Sequence, residues 1–342
     1  MFEPVETELA IDADDVVLAT GSRPLALPGN SFAGALITLP SSAVIIGAGA
    51  VALEFASLWN AAGCEVTLLI RKDRVLSTWE RRASMTLTRE LKRRGVNVIA
   101  RTAVDRVDTG ANLGATVHYR QGDSDEDRTA YGEVVLAAIG RVPNTDADWF
   151  RSSGLKLDER GYVTVDGYGR TNLDGVWALG DITPGHALAH RAFEQGITIA
   201  EKIAGADPKP VIDDTVPQVV FSFPEAASVG LTLDQAKARE DVVEPKETAY
   251  PMLSNARMLM SGEGGSMTIV SGEFADDPGR RVVLGVHIVS PIASDLIAEA
   301  EQLVGNRVPL AEASRLIHPH PTFSETLGEA LLKADGRPLH TR

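Results

Sequence analysis

This sequence predicts an α/β fold: a doubly wound parallel sheet followed by an α+β module. Three observations carry that expectation. From Ser42 onward, apolar runs of strand length alternate with stretches of helical periodicity. The first of those runs opens directly into a glycine-rich turn. Past Pro217 the strands lengthen, and helical patterns gather at the end of the chain.

Taken in order, the region up to Leu39 contains ADDVVLATGSRP, a strand closed by Gly, Ser and Pro turn signals. AVIIG is a strand, Val51–Ala62 a helix closed by Gly63, and EVTLLI a second strand. Arg81–Arg94 is a helix closed by Gly95, and VNVIA a third strand. Asp105 to Ile139 reads as a short antiparallel insert, with GDSDEDR as its solvated tip. VWALGDITPG then leads to a helix, Leu188 to Ile203, with Phe193, Ile197, Ala200 and Ile203 expected inward. ADPKPVIDDTVP (Ala206–Pro217) has linker composition. VPQVVFS, SMTIVSGE and RVVLGVHIVS read as strands of one antiparallel sheet, covered by helices at Ser294–Val304, Leu310–Ile317 and Thr322–Ala334.

Bulk properties exclude several classes. A chain of 342 residues, 44% hydrophobic, buries cores for two or three domains. A net charge of −14 argues against nucleic-acid or anionic-membrane partners, which need clustered Lys and Arg. The single cysteine, Cys64, excludes an intrachain disulfide and fits a reducing compartment. MFEPVETELAIDADD lacks the basic and apolar regions of a signal peptide. The longest apolar run, Ala43–Trp59, is broken by glycines and Glu54, so no transmembrane segment and a cytoplasmic location are expected. No metal-ligand spacing appears.

Gly47-Ala48-Gly49-Ala50-Val51-Ala52 has the pattern G-x-G-x-x-G/A, set between a strand and a helix as dinucleotide binding requires. Gly47 permits the tight turn, Gly49 lets a pyrophosphate approach the backbone, and Ala52 allows close helix–strand packing. The helix N-terminus supplies N–H groups and positive dipole. An ordinary strand-to-helix turn is the alternative. Where an NAD site places an acid at the end of the second strand, this chain has Ile70 followed by Arg71-Lys72-Asp73-Arg74. A guanidinium suits a 2′-phosphate, so the sequence favours NADP(H). Solvated loop charges remain the other reading, and Asp73 still offers a carboxylate.

Near the C-terminus, HPHPTFSE (His318–Glu325) sets a histidine five residues before a glutamate. An imidazole titrating near neutrality suits proton transfer. Thr322 and Glu325 also have capping-box spacing, so Glu325 has a structural alternative, and the two roles are compatible.

These motifs together resemble the pyridine nucleotide-disulfide oxidoreductases, most closely the dihydrolipoamide dehydrogenase branch. ATGSRP, the glycine loop with Glu54, AAIGRVPNT (Ala137–Thr145), VWALGDI, LAHRAFEQG, VVFSFPEAASVGLT and HPHPTFSE follow in the family's order. The resemblance implies a remnant FAD domain (residues 1–39), an NAD(P)-binding domain (40–143), a second FAD-domain segment (144–212) and a dimerisation domain (213–342). It implies FAD contacts at Thr20, Gly21, Asp181, Leu188, Ala189 and His190, with Asp181 binding the ribityl chain and the helix N-terminus facing the flavin ring. It further implies nucleotide contacts at Gly140, Glu54, Arg71 and Arg74, with Glu54 matching a glutamate that pairs with a lysine near the nicotinamide, a lysine expected in a region this sequence does not contain. His320 and Glu325 match the family's acid–base pair, which serves the partner subunit's active site, so a homodimer is implied.

Two family elements are absent from this sequence: a first G-x-G-x-x-G and a Cys-x4-Cys redox pair. The connection from Gly21 to Gly47 also looks shorter than in relatives. The expectation is an N-terminally truncated member with weakened FAD binding and little disulfide reductase activity, because thiol–disulfide exchange needs a thiolate. The complete enzyme would move electrons between a dithiol such as dihydrolipoamide and NAD(P) through FAD. A dithiol-free NAD(P)H diaphorase and a non-catalytic NAD(P)-binding dimer are the alternatives.

Overall fold

The computed structural model describes residues 10–30, 38–109 and 114–341. The opening of the acidic N-terminal stretch, to residue 9, and residues 31–37 of the Gly21–Gly47 connection lie outside them. The chain forms two compact units. One comprises residues 10–23 with Arg141–Asp213, the other Pro24–Gly140 with Asp214–Arg342.

In the larger unit a four-stranded parallel sheet runs in the order Asn97–Ala100, Glu65–Ile70, Ser42–Ile46, Val134–Ala137. Its central strands are buried on both faces, which is why they read as unbroken apolar runs. Val134–Ala137 corrects the expected boundary of the insert, which spans Thr102–Gly132 as three antiparallel strands. A four-residue apolar run has no period to reveal its partner; pairing in register, Ala43 with Val134 and Ile46 with Ala137, decides it. The acidic tip at residues 122–128 is exposed, as expected.

Helices Ala50–Ala61 and Arg81–Arg93 pack on this sheet. The second starts at Glu80, a buried carboxylate that accepts the N–H groups of Arg82 and Ala83 at 2.6 and 2.7 Å, a cap contributing about 1 kcal/mol. The same carboxylate accepts the Thr268 hydroxyl from the C-terminal sheet. Val220, Ala226 and Val289 of that sheet share a core with Ala43, Leu53 and Leu87, so the nucleotide sheet and the C-terminal module are fused.

The C-terminal sheet is antiparallel, in the order Gln218–Val220, Glu225–Gly230, Asp277–Ser290, Ser266–Phe274, Val242–Pro251. Two of these strands are additions to the expected three. Val242–Pro251 is an edge strand carrying Pro245 and a register shift between Val243 and Lys246, features that hide a strand from alternation. Helices Ala293–Gly305 and Glu325–Ala334 cover one face. The helix expected over Leu310–Ile317 stops at Ala313, and Leu316 and Ile317 are exposed ahead of Pro319. The last helix begins at Glu325, not Thr322.

In the smaller unit Val16–Leu18 pairs in parallel with Val176–Ala178, which runs into a short 3-10 turn, Gly180–Ile182. Phe150, Leu155, Val163 and Ile182 form its core. Helix Ala189–Ile203 corrects the inward face assigned above. Phe193, Ile197, Ala200 and Ile203 are exposed, whereas Arg191, Thr198 and Ile199 are buried. Periodicity fixes which residues share a face, not which face turns in. Here Arg191 sets the answer by donating to the Asp213 carboxylate and the Pro184 carbonyl, each at 2.6 Å.

Candidate functional site

Strand Ser42–Ile46 delivers Gly47 into a turn where its amide donates to the Leu69 carbonyl at 3.1 Å. Its φ is +139°, and an added Cβ would lie 2.2 Å from the Ala138 carbonyl oxygen. Glycine is therefore obligatory there. Gly49 is the N-cap of helix Ala50–Ala61 and offers no side-chain cap; the space over its Cα is open. Ala52, one turn in, is fully buried. The three positions thus have the backbone, space and packing that a pyrophosphate-binding turn requires. Gly140, with φ +135°, follows the neighbouring strand and has open space on its Cβ side.

Glu54, on the next turn of the helix, accepts the Phe221 backbone N–H at 3.1 Å. Among the described residues its partner is thus a backbone amide and not a lysine. Ile70 is fully buried at its strand end, and Arg71 beyond it is exposed with no ion pair or hydrogen bond among the described residues. Arg74 is committed elsewhere: it donates to Asp73 at 3.0 Å and to the Ser77 carbonyl at 3.2 Å. Of the two arginines, only Arg71 is free to meet a ligand. Cys64 is buried, and burial followed by the charges of Glu133 and Glu65 raises its thiol pKa, so it holds little thiolate.

In the smaller unit, Thr20–Gly21 and Gly180–Asp181 emerge at the carboxyl ends of two paired parallel strands, where open α/β sheets bind ligands. Thr20 and Gly21 are cross-tied to Asn144: the Thr20 hydroxyl donates to its carbonyl, and the Asn144 amides donate to the Thr20 and Gly21 carbonyls. Asp181 accepts the Ser22 hydroxyl and lies 3.9 Å from the Arg141 guanidinium. The turn packs on helix Ala189–Ile203, where Gln195 accepts the Gly180 N–H at 2.9 Å. That helix begins at Ala189 and His190 behind Leu188, which provides no side-chain cap. The start of this helix and the Asp181 carboxylate thus belong to one compact unit.

His320 and Glu325 meet. Nδ1 of His320 lies 2.8 Å from one carboxylate oxygen, while the other accepts the Thr322 N–H at 2.8 Å. Glu325 thus divides its carboxylate between the His320 ring and the Thr322 backbone, and the capping box expected at Thr322 is not formed, because the helix takes Ser324 as its N-cap. Burial raises the Glu325 pKa, but the Thr322 N–H, the His320 hydrogen bond and the charges of His320 and His318 outweigh it, and the net direction is down. An ionised Glu325 accepts, so Nδ1 carries the proton and Nε2 of the neutral ring is left as an acceptor on a side chain that is 74% exposed.

Buried beside the exposed His320 is His318, whose one mark in the sequence is a glycine inside the last helix, Gly328. The Glu299 hydrogen bond raises the His318 pKa; burial opposes this, and the Glu299 charge, the Leu316 carbonyl and the Glu325 charge add to it. A raised folded value means the stabilisation is complete below the unfolded value, about 6.5, and is lost as pH climbs through the folded one. Glu299→Gln is accordingly expected to lower the urea midpoint clearly at about pH 6 and much less at about pH 9. Urea titrations at the two values check it.

The fold and these sites define a class: a parallel-sheet nucleotide-binding oxidoreductase joined to a dimerisation-type module. The chain belongs to the pyridine nucleotide-disulphide oxidoreductase family, whose profile matches residues 3–196, with the family's dimerisation domain matching residues 216–331. It is 35% identical over 341 residues to the dihydrolipoyl dehydrogenase of Cupriavidus necator, covering 96% of this chain and 70% of that one. The Bacillus subtilis dihydrolipoyl dehydrogenase is 34% identical over 336 residues, covering 95% and 69%. Among solved structures, LpdA from Mycobacterium tuberculosis superposes with a TM-score of 0.83 at 30% identity, covering 94% of this chain and 70% of that one. RclA from Escherichia coli, a flavoprotein disulfide reductase, shares the fold at a TM-score of 0.79 and 22% identity, covering 93% and 72%. Among the described residues no helix is long and apolar enough to cross a membrane, and no cluster fit to hold a metal ion is present.

Proposed function

We propose that this chain is a dihydrolipoyl dehydrogenase-type polypeptide that binds NADP(H) and, with Cys64 as its sole cysteine, does not itself turn over disulfides. The observation that carries the thiol-directed part is the His320–Glu325 pair. With Glu325 holding the Nδ1 proton, Nε2 takes the proton of an approaching thiol, leaving a thiolate and an imidazolium, and gives the proton back to the same sulfur when the dithiol departs unreacted. That thiol belongs to a dithiol such as dihydrolipoamide, in a site completed across a homodimer. FAD, when bound, supplies a two-electron relay to the nicotinamide. Thr20, Gly21, Asp181 and the amides at Leu188, Ala189 and His190 would hold its ribityl and ring half. Gly47, Gly49, Ala52, Gly140 and Glu54 would seat the nicotinamide nucleotide, and Arg71 its 2′-phosphate. A reducing, cytoplasmic setting suits such thiol chemistry.

A second reading, a flavin diaphorase without a dithiol, is favoured by the burial of Cys64. A third is a non-catalytic nucleotide-binding dimer. The test uses the purified full chain with NADPH, lipoamide and a one-electron acceptor. Saturable NADPH binding, a flavin band that fades on gel filtration and no lipoamide-dependent NADPH oxidation are expected. Lipoamide turnover would overturn the proposal. A stable flavin band with acceptor turnover that survives His320→Gln would favour the diaphorase.

A further inference from the structure

His318 sits two residues before the base, and its side chain is only 9% exposed against 74% for His320. Its Nε2 lies 2.9 Å from Glu299 on helix Ala293–Gly305. The ring rests on Gly328, in the interior of helix Glu325–Ala334, where an added Cβ would meet Nδ1 at 2.5 Å and Cε1 at 2.9 Å. Glycine inside a helix costs about 1 kcal/mol relative to alanine. At position 328 the imbalance has a cause on the page, because no larger residue leaves room for the imidazole. The ring therefore joins two helices, one of which begins with Glu325, the group that orients His320. Asn255 adds a second tie by donating to the Thr322 carbonyl at 3.0 Å.

We propose that His318 is a positioning residue: tied to Glu299 and seated on Gly328, its ring sets the 318–325 loop against the last helix so that Nδ1 of His320 meets Glu325. The proposal deepens the reading of His320 as an acid–base group and rests on it. Two histidine–carboxylate pairs thus act in series, an inner one that fixes the loop and an outer one that presents the base. Loss of the inner pair lets the loop shift by a fraction of an ångström to an ångström, enough to break a 2.8 Å hydrogen bond while leaving the helices folded.

The experiment is nitrogen NMR of the full chain with labelled histidine, which reports which ring nitrogen carries the proton. The His320 signal is assigned among the seven histidines by its change in Glu325→Gln. In the parent chain His320 is expected as the Nδ1–H tautomer. In both Glu299→Gln and Gly328→Ala, with circular dichroism unchanged, loss of that tautomer preference is expected. An unchanged His320 signal in both variants would overturn the proposal. Should Gly328→Ala fail to fold, Glu299→Gln decides alone, since Glu299 is partly exposed. The readout needs no turnover, so failure of the thiol-directed function leaves it interpretable and distinct.

Discussion

Replacing Gly47 with alanine is expected to destabilise the larger unit by about 3 kcal/mol and to abolish nicotinamide nucleotide binding. Two costs combine. A backbone φ of +139° is one that a residue with a Cβ rarely adopts, and that Cβ would sit 2.2 Å from the Ala138 carbonyl oxygen. The carbonyl has little freedom to retreat, because the amide of the same residue donates to Ile46 across the parallel pair. Relief must come from moving the turn itself, which carries the N-terminus of helix Ala50–Ala61 away from the strand end. Urea denaturation measures the first effect and tryptophan quenching by NADPH the second. Gly49→Ala is the control: with open space over its Cα it should fold normally and lose affinity only through ligand contact. Equal stability of Gly47→Ala and the parent would contradict the geometry.

The second large effect concerns cofactor choice. NADPH is expected to bind roughly tenfold to a hundredfold more tightly than NADH, and Arg71→Ala to remove the difference by weakening NADPH alone, as loss of a charge-assisted hydrogen bond to the 2′-phosphate predicts. Arg74→Ala should matter much less to binding, because its guanidinium is already occupied by Asp73 and the Ser77 carbonyl. Isothermal titration of each variant with both nucleotides separates these outcomes. Equal NADH and NADPH affinity in the parent would make Arg71 a solvated charge and nothing more.

Much of this was legible from residue order. The glycine turn follows from Gly47, Gly49 and Ala52 lying between an apolar strand and a helix, since the spacing together with that context specifies the turn. The His320–Glu325 contact follows from a five-residue offset across the start of a helix. Other features were not legible, for identifiable reasons. The placing of Val134–Ala137 depends on a strand more than eighty residues away in sequence, and a short run carries no mark of its partner. The inward face of helix Ala189–Ile203 departs from its apolar periodicity because a buried arginine with a carboxylate partner, not the apolar stripe, turns in among the described residues. Edge strand Val242–Pro251 was hidden by its proline and charges. His318 was passed over because its partner, Glu299, comes from another helix.

The contact between the His318 ring and Gly328 also bears on how such sequences drift. Neither position can change alone without loss: a side chain at 328 evicts the ring, and a smaller residue at 318 leaves a hole beside a helix weakened by glycine. Changed together, they release the constraint, and alanine at 328 would recover about 1 kcal/mol of helix propensity. Relatives should therefore change the two positions in concert, a covariation that an alignment of the family would reveal.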